Sequence, residues 1–181
     1  MPPRASVMER TTKAGLTSNE AGYTWMDDSL GLILKKLDEL KLAENTVVLF
    51  VADHGSGNKG SLYKAKGTEV PCIMRWPAGM KQGARSEELI QNTDFAATWF
   101  DLAGVKRPAK YRMDGVSLKP LFQNPHQPVR EHVFCEIGAA RSIKTKTHSY
   151  IALRYTKDQV TGVRENNRRH LRALTGLSGG V

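Results

Sequence analysis

The chain has 181 residues, enough for one domain or one and a half. At 40% hydrophobic it can build a core, but no run of about 18 apolar residues offers a membrane span. Its 27 Lys and Arg against 18 Asp and Glu leave a formal charge of +9, which suits an anionic partner such as a sulfated or phosphorylated compound, an acidic glycan or nucleic acid.

The opening "MPPRASVMERTTKAG" lacks the apolar centre of a signal peptide. Residues 1–16 show no clear period and are read as an N-terminal arm. Thr17 and Glu20 then form a capping-box pair. Met26, Leu30, Ile33, Leu37 and Leu40 follow at spacings of four and three, the mark of an amphipathic helix with Lys35, Lys36, Asp38 and Glu39 on its wet side and Asn45 at its end. Val47 to Ala52 is a continuous apolar run, which predicts a strand covered on both faces, as in parallel sheets. A helix feeding such a strand is half of a doubly wound α/β unit.

Gly55 to Gly67 is loop, and Val70 to Arg75 predicts a second strand that Trp76-Pro77 stops. Phe95, Trp99 and Leu102 mark one face of a short helix, with Thr93 or Asp94 as cap and Gly104 as stop. "KRPAKYRMDGVSLKPLFQNPHQP" reads as a linker around one short element. "HVFCEI", "ARSIKTKT" and "SYIALRY" predict a small antiparallel sheet, with a hairpin around Thr147-His148-Ser149. The tail from Lys157 is polar and basic, and is read as a surface helix with a frayed end. The division that follows is an arm over 1–16, an α/β part over 17–122 and a small C-terminal subdomain over 123–181.

Ligands in open parallel sheets bind beyond the carboxyl ends of the strands, and Asp53-His54 falls at such an end. Asp suits hard cations, and imidazole suits zinc, manganese or iron better than calcium. His54 could alternatively act as a general acid or base, and the pair could be no more than a turn-capping Asp beside an exposed His. Gly55, Gly57 and Gly60 allow close backbone approach to a ligand, and Lys59 adds a cation nearby. A metal with a lysine is what an ester oxyanion needs as its bond breaks. His126, His132, His148 and His170 show no ligand spacing and are expected at the surface or at strand edges. Cys72 and Cys135 are read as free thiols in apolar runs.

"YTWMDDSLGLILKKLDELKLAENTVVLFVADHG" resembles the sulfatase family's passage from a long helix into a metal-binding strand. "KGSLYKAKGTEVPCIMRWPAG" is similar to its next signature, a lysine-led loop with Tyr, then Val-Pro, a strand and Trp-Pro-Gly. "QNTDFAATWFDLAGV", "MDGVSLKPLF" and "ARSIKTKTHSYIALRY" resemble the following helix, the Asp-Gly-x-Ser-Leu turn and the C-terminal hairpin. These five pieces stand in family order from Tyr23 to Tyr155.

The resemblance implies a partial alkaline-phosphatase-like doubly wound α/β sheet followed by a small antiparallel subdomain. It implies hydrolysis of sulfate esters with a divalent metal, most often calcium, and a formylglycine nucleophile made from Cys or Ser. By position it makes Asp53 and His54 metal ligands and Lys59 the residue that contacts the sulfate. The nucleophile motif Cys/Ser-x-Pro-x-Arg is absent, and "VPCIMR" is not it, because the Pro precedes Cys72. Asp27 and Asp28 fall in the family's helix and are not its early metal-binding aspartates. Lys64, Ala65, Lys66 and Gly67 replace an acidic-Gly-Gly stretch.

The expectation is therefore a sulfatase-family chain without its nucleophile, inactive alone. Its substrate would be a sulfated carbohydrate or an aryl sulfate, its partner the missing N-terminal half or a second copy. Nucleic acid is not the expected partner, and the family points to an exported protein. One alternative is a phosphoesterase of the same superfamily using zinc or manganese. The other is a non-catalytic anion- or glycan-binding protein built on Arg164, Arg168, Arg169 and Arg172.

Overall fold

A computed structural model describes residues 2–55, 60–63, 67–106, 108 and 110–166. It divides into two units, Met1–Val48 with Arg75–Ala78, and Leu49–Met74 with Gly79–Val181.

The first unit opens with helix α1 (Arg4–Lys13), where the sequence offered no period. The correction has a physical basis. Only Val7 and Thr11 of α1 are buried, one turn apart, and such a narrow stripe leaves no apolar repeat to read. Thr11 Oγ1 donates to the Val7 carbonyl at 2.7 Å, so its buried hydroxyl is satisfied within the helix. α1 packs on α2 (Ala21–Glu39), and Arg10 makes a two-pronged ion pair with Asp28 across the two helices. Asp28 thus serves the helix surface, as expected of it.

α2 begins later than the capping-box reading implied. Glu20 Oε2 accepts both the Thr17 N–H at 2.7 Å and the Thr17 hydroxyl at 2.8 Å, so the glutamate half of the box forms while residues 18–20 make a turn. The helix ends at a Schellman motif and not at Asn45. Leu42 N–H donates to the Leu37 carbonyl at 2.9 Å and Lys41 N–H to that of Asp38 at 3.0 Å. Asn45 closes the one-turn 3-10 helix Ala43–Asn45 that follows. Trp76 Nε1 donates to the Glu44 carbonyl at 2.9 Å, tying Arg75–Ala78 into this unit.

β1 (Val48–Val51) and β2 (Cys72–Arg75) form a two-stranded sheet. Ala52 N–H, just past β1, donates to the carbonyl of Pro71, just before β2, at 3.2 Å. The end of one strand therefore meets the start of the other, and the pair runs antiparallel, which mixed doubly wound sheets accommodate at an edge. The strands are half-buried to exposed and not covered on both faces, with Ile73 63% exposed.

α3 (Thr93–Leu102) ends at Gly104 as expected, in a second Schellman motif closed by Val105 N–H to the Phe100 carbonyl at 3.0 Å. Its buried residues are Asp94 and Thr98, and not the Phe95, Trp99 and Leu102 face. The short element in the Pro-rich linker is α4 (Lys119–Gln123), with Leu118 and Phe122 buried. β3 (Val133–Ile137), β4 (Ala140–Lys144) and β5 (Ser149–Leu153) form the expected antiparallel sheet in that order. The β4–β5 turn is closed by Thr145 N–H to the His148 carbonyl at 2.8 Å. Ala140 and Ser142 are buried on one face of this sheet, while the cross-strand row Phe134, Ile143 and Tyr150 lies exposed on the other. α5 (Lys157–Asn166) closes the described chain. No helix among the described residues is long and apolar enough to cross a membrane.

Candidate functional site

β1 delivers Asp53 and His54 as its backbone leaves the pleat. The Ala52–Pro71 bond is the last rung, so the next two side chains are free of strand alternation. Asp53 Oδ2 stands 3.6 Å from His54 Nε2. The other ring nitrogen, Nδ1, is 3.0 Å from the Gly55 carbonyl, which can only accept. Nδ1 is therefore the donor in that contact, and Nε2 is the ring nitrogen on the side of the Asp53 carboxylate. The Asp53 side chain is 87% exposed and that of His54 38%, so both are open to a ligand.

Lys59 lies outside the described residues, as do Gly57, Lys64, Ala65 and Lys66. What is described is the neck of the loop on either side. Gly60 N–H donates to the Gly67 carbonyl at 3.0 Å, and Ser61 and Leu62 are both buried. Tyr63 is half-exposed, and its phenol is pushed up by burial and then by the charge of Tyr155.

Two donors at 3.6 Å fit two neighbouring positions on one cation, since ligands at about 2.1 Å span at most about 4.2 Å across the metal. Among the described residues no group of three or more His, Cys, Asp or Glu converges, so Asp53 and His54 by themselves could supply only part of a coordination shell. Asp53 suits calcium or a transition metal, while the free imidazole nitrogen suits a transition metal better.

His126 and His132 are exposed, and exposed His148 holds Thr147 Oγ1 at 2.8 Å through Nδ1. His170, Arg168, Arg169 and Arg172 lie outside the described residues, as does the side chain of Arg164. Cys72 and Cys135 are free and half-buried, and burial pushes the Cys72 thiol up. A depression of about 390 Å³ lined by Phe100, Asp101, Val105 and Ser117 does not include Asp53 or His54. Its one ionisable group, Asp101, is held below the ordinary carboxylate range, first by the Ser117 hydroxyl and also by Lys119.

The sequence reading missed a buried centre next to this depression. Asp94 is fully buried and bonded by the Arg130 guanidinium through two nitrogens, by Gln91 N–H at 2.8 Å and by Val116 N–H at 2.9 Å. It joins the start of α3, the turn before α4 and the approach to β3. An Asp at a helix start reads as a cap, and nothing local announces an arginine 36 positions on.

A family profile described as Sulfatase matches residues 10–105, more than half of the chain. The chain belongs to the sulfatase family. An ulvan-active sulfatase from Formosa agariphila is 35% identical over 151 residues, covering 77% of this chain and 29% of that protein. The Homo sapiens steryl-sulfatase is 34% identical over 121 residues, covering 56% of this chain and 21% of that protein. The sulfatase chain described here thus spans less than a third of the length of these relatives. A solved structure in complex with its substrate D-glucosamine-2-N,6-O-disulfate superposes with a TM-score of 0.58 at 21% identity, over 96% of this chain and 44% of that one. The fold is the alkaline-phosphatase-like α/β fold of sulfatases, and this chain holds a part of it.

Proposed function

We propose that this sulfatase-family chain supplies the late metal ligands and the sulfate-contacting lysine of a sulfuric ester hydrolase. The observation that carries the reading is the paired delivery of Asp53 Oδ2 and His54 Nε2 at the end of β1, on a chain whose family acts on sulfate esters. Asp53 and His54 would hold a divalent metal, calcium by family and zinc or manganese by the preference of His54. Bound there, the metal supplies positive charge to the oxygens of the ester.

Asp53 would contribute an exposed carboxylate, and the Gly55 carbonyl engages His54 through Nδ1, so that Nε2 would be the nitrogen offered to a metal. Lys59, five positions after His54 in the sequence, would contribute an ammonium, the group suited to hold a sulfate and steady the leaving oxygen. The formylglycine nucleophile of the family has no residue here, because these 181 residues hold no Cys/Ser-x-Pro-x-Arg. Covalent catalysis needs that group, so these 181 residues would act with a segment that carries it, in the same polypeptide or another. The substrate is a sulfate monoester, either a sulfated carbohydrate or an aryl or steryl sulfate.

The test is an aryl sulfate assay with the purified chain alone and co-expressed with an N-terminal sulfatase segment bearing the nucleophile. The expected result is negligible turnover alone, and turnover on co-expression that Asp53→Ala and Lys59→Ala each abolish. Robust hydrolysis by the chain alone, or co-expressed activity indifferent to both substitutions, overturns the reading.

A further inference from the structure

We propose that Lys144, on the C-terminal sheet, is a positioning residue for the neck formed by Gly60 and Gly67–Thr68, whose first residue directly follows Lys59 in the chain. The proposal rests on the reading of Lys59 as the sulfate-contacting residue. Lys144 Nζ donates to Thr68 Oγ1 at 2.9 Å, across 76 residues of sequence. In the β3–β4 register Ile137 lies opposite Ala140, and Ala140, Ser142 and Lys144 alternate onto the same side. Ile137 and Lys144 therefore share a face, and it is the buried one, with Ala140 0% and Ser142 2% exposed.

That face holds both limbs of the neck. The Cδ1 of Ile137 stands 3.8 Å from where a Cβ on Gly60 would be, so it packs against the outgoing limb. Lys144 holds the returning limb at Thr68. The limbs touch each other backbone to backbone. Gly60 N–H reaches the Gly67 carbonyl at 3.0 Å, and a Cβ on Gly67 would fall 2.0 Å from the Ser61 carbonyl oxygen. No side chain fits between them.

Lys59 is one peptide from Gly60, and consecutive Cα atoms lie about 3.8 Å apart, so any shift of the neck is passed to the lysine. A reacting group is useful only when its support is locked by packing and hydrogen bonds. Here packing comes from Ile137 and the polar lock from Lys144. The ammonium of Lys144 acts through Thr68 and is not itself a sulfate ligand.

The experiment uses the full chain and inorganic sulfate. Lys144→Met keeps the stem and removes the ammonium, Lys144→Arg restores a cationic donor, and Thr68→Val removes the acceptor at nearly constant shape. Hydrogen exchange over 60–68 and sulfate binding by calorimetry are read together. Lys144→Met and Thr68→Val are each expected to speed exchange of the segment about tenfold and to weaken sulfate binding several-fold, with Lys144→Arg near wild type in both. Lys59→Ala is expected to abolish sulfate binding and leave exchange unchanged.

Wild-type exchange and binding in both Lys144→Met and Thr68→Val overturn the proposal. Weakened binding with unchanged exchange in Lys144→Met also overturns it, since Lys144 would then touch the anion directly. If the wild-type chain binds no sulfate, or Lys59→Ala binds it normally, the reading of Lys59 fails, while the exchange measurement still decides the role of Lys144. Should Lys144→Met not fold, Thr68→Val tests the same bond from the other side.

Discussion

Asp94 is the residue on which the second unit turns. Its side chain is fully buried and its partner Arg130 is only 11% exposed, so water screens neither charge. A buried ion pair adds little to stability as a whole, yet removing one partner strands the other charge and costs about 3–5 kcal/mol. Asp94→Ala is therefore expected to lower stability by about that amount, read as a shift of the urea midpoint at constant slope. A change under about 1 kcal/mol would show that Arg130 finds solvent on its own. The turn that Asp94 holds is equally unforgiving, because a Cβ on Gly115 would fall 2.0 Å from the Thr93 carbonyl oxygen. A second residue-scale prediction separates the metals. Asn offers a carbonyl oxygen in place of an imidazole, so His54→Asn is expected to keep calcium affinity within a few-fold and weaken zinc and manganese about tenfold or more in a calorimetric titration. The opposite order would show that the imidazole of His54 does not act as a transition-metal ligand. The position of Asp53 and His54 just beyond a strand was legible in the sequence because they sit side by side after an apolar run. Asp94–Arg130 and Lys144–Thr68 were not, because nothing in a sequence couples residues 36 or 76 positions apart.

The helices end by one rule applied to different residues. Gly15, Lys41 and Gly104 each take the left-handed conformation after the cap, with φ of +73°, +56° and +65°. Glycine adopts it freely, whereas a side chain pays about 1–2 kcal/mol. Lys41→Gly is therefore expected to stabilise the chain by up to about 1 kcal/mol, part of the gain being lost to the freer unfolded glycine, with a thermal midpoint a few degrees higher. A lower midpoint would mean that the lysine side chain makes contacts that outweigh its strain. At the other end of α2, Glu20 is held below the ordinary carboxylate range, first by the Thr17 backbone N–H and then by its hydroxyl. A depressed folded pKa means the bond contributes fully above the unfolded value, about pH 4, and is lost as pH falls through the folded one. The Thr17 amide is thus expected to stay protected at pH 5 and to lose protection only as pH falls through the lowered folded value of Glu20, read by its hydrogen exchange. Loss already at pH 5 would contradict the contact. Elements with strong local signals were read correctly: the α3 stop at Gly104, the β4–β5 hairpin and the strands of the C-terminal sheet. α1 was missed because its buried stripe is Val7 and Thr11 alone, and a threonine does not register as apolar.

At the scale of the whole chain, the family is legible in five local motifs, but what those motifs bury is not. Tyr23, Met26, Leu30, Ile33, Leu37 and Leu40 recur on α2 and its cap at alternating steps of three and four, the spacing of a packing seam. Yet Tyr23 is 71% exposed, Ile33 55% and Leu40 54%. β1 and β2 likewise make a sheet of two strands, a size that is marginal in water without a covering layer. The solved structure on which the chain superposes is matched over 44% of its length, so more than half of that chain has no counterpart in these residues. An exposed seam and an open strand edge invite a partner. The net charge of +9 opposes self-association, but at 0.1 M salt charges more than about 10 Å apart are largely screened, while apolar contact is not. The isolated chain is therefore expected to self-associate at moderate salt, with light-scattering mass rising with concentration. Ile33→Lys with Leu40→Lys should lower that mass toward a single chain, because both substitutions place a charge on the exposed seam. A soluble monomer with a cooperative thermal transition would contradict this, and would mean that the faces a sulfatase buries are, in this chain, stable in water.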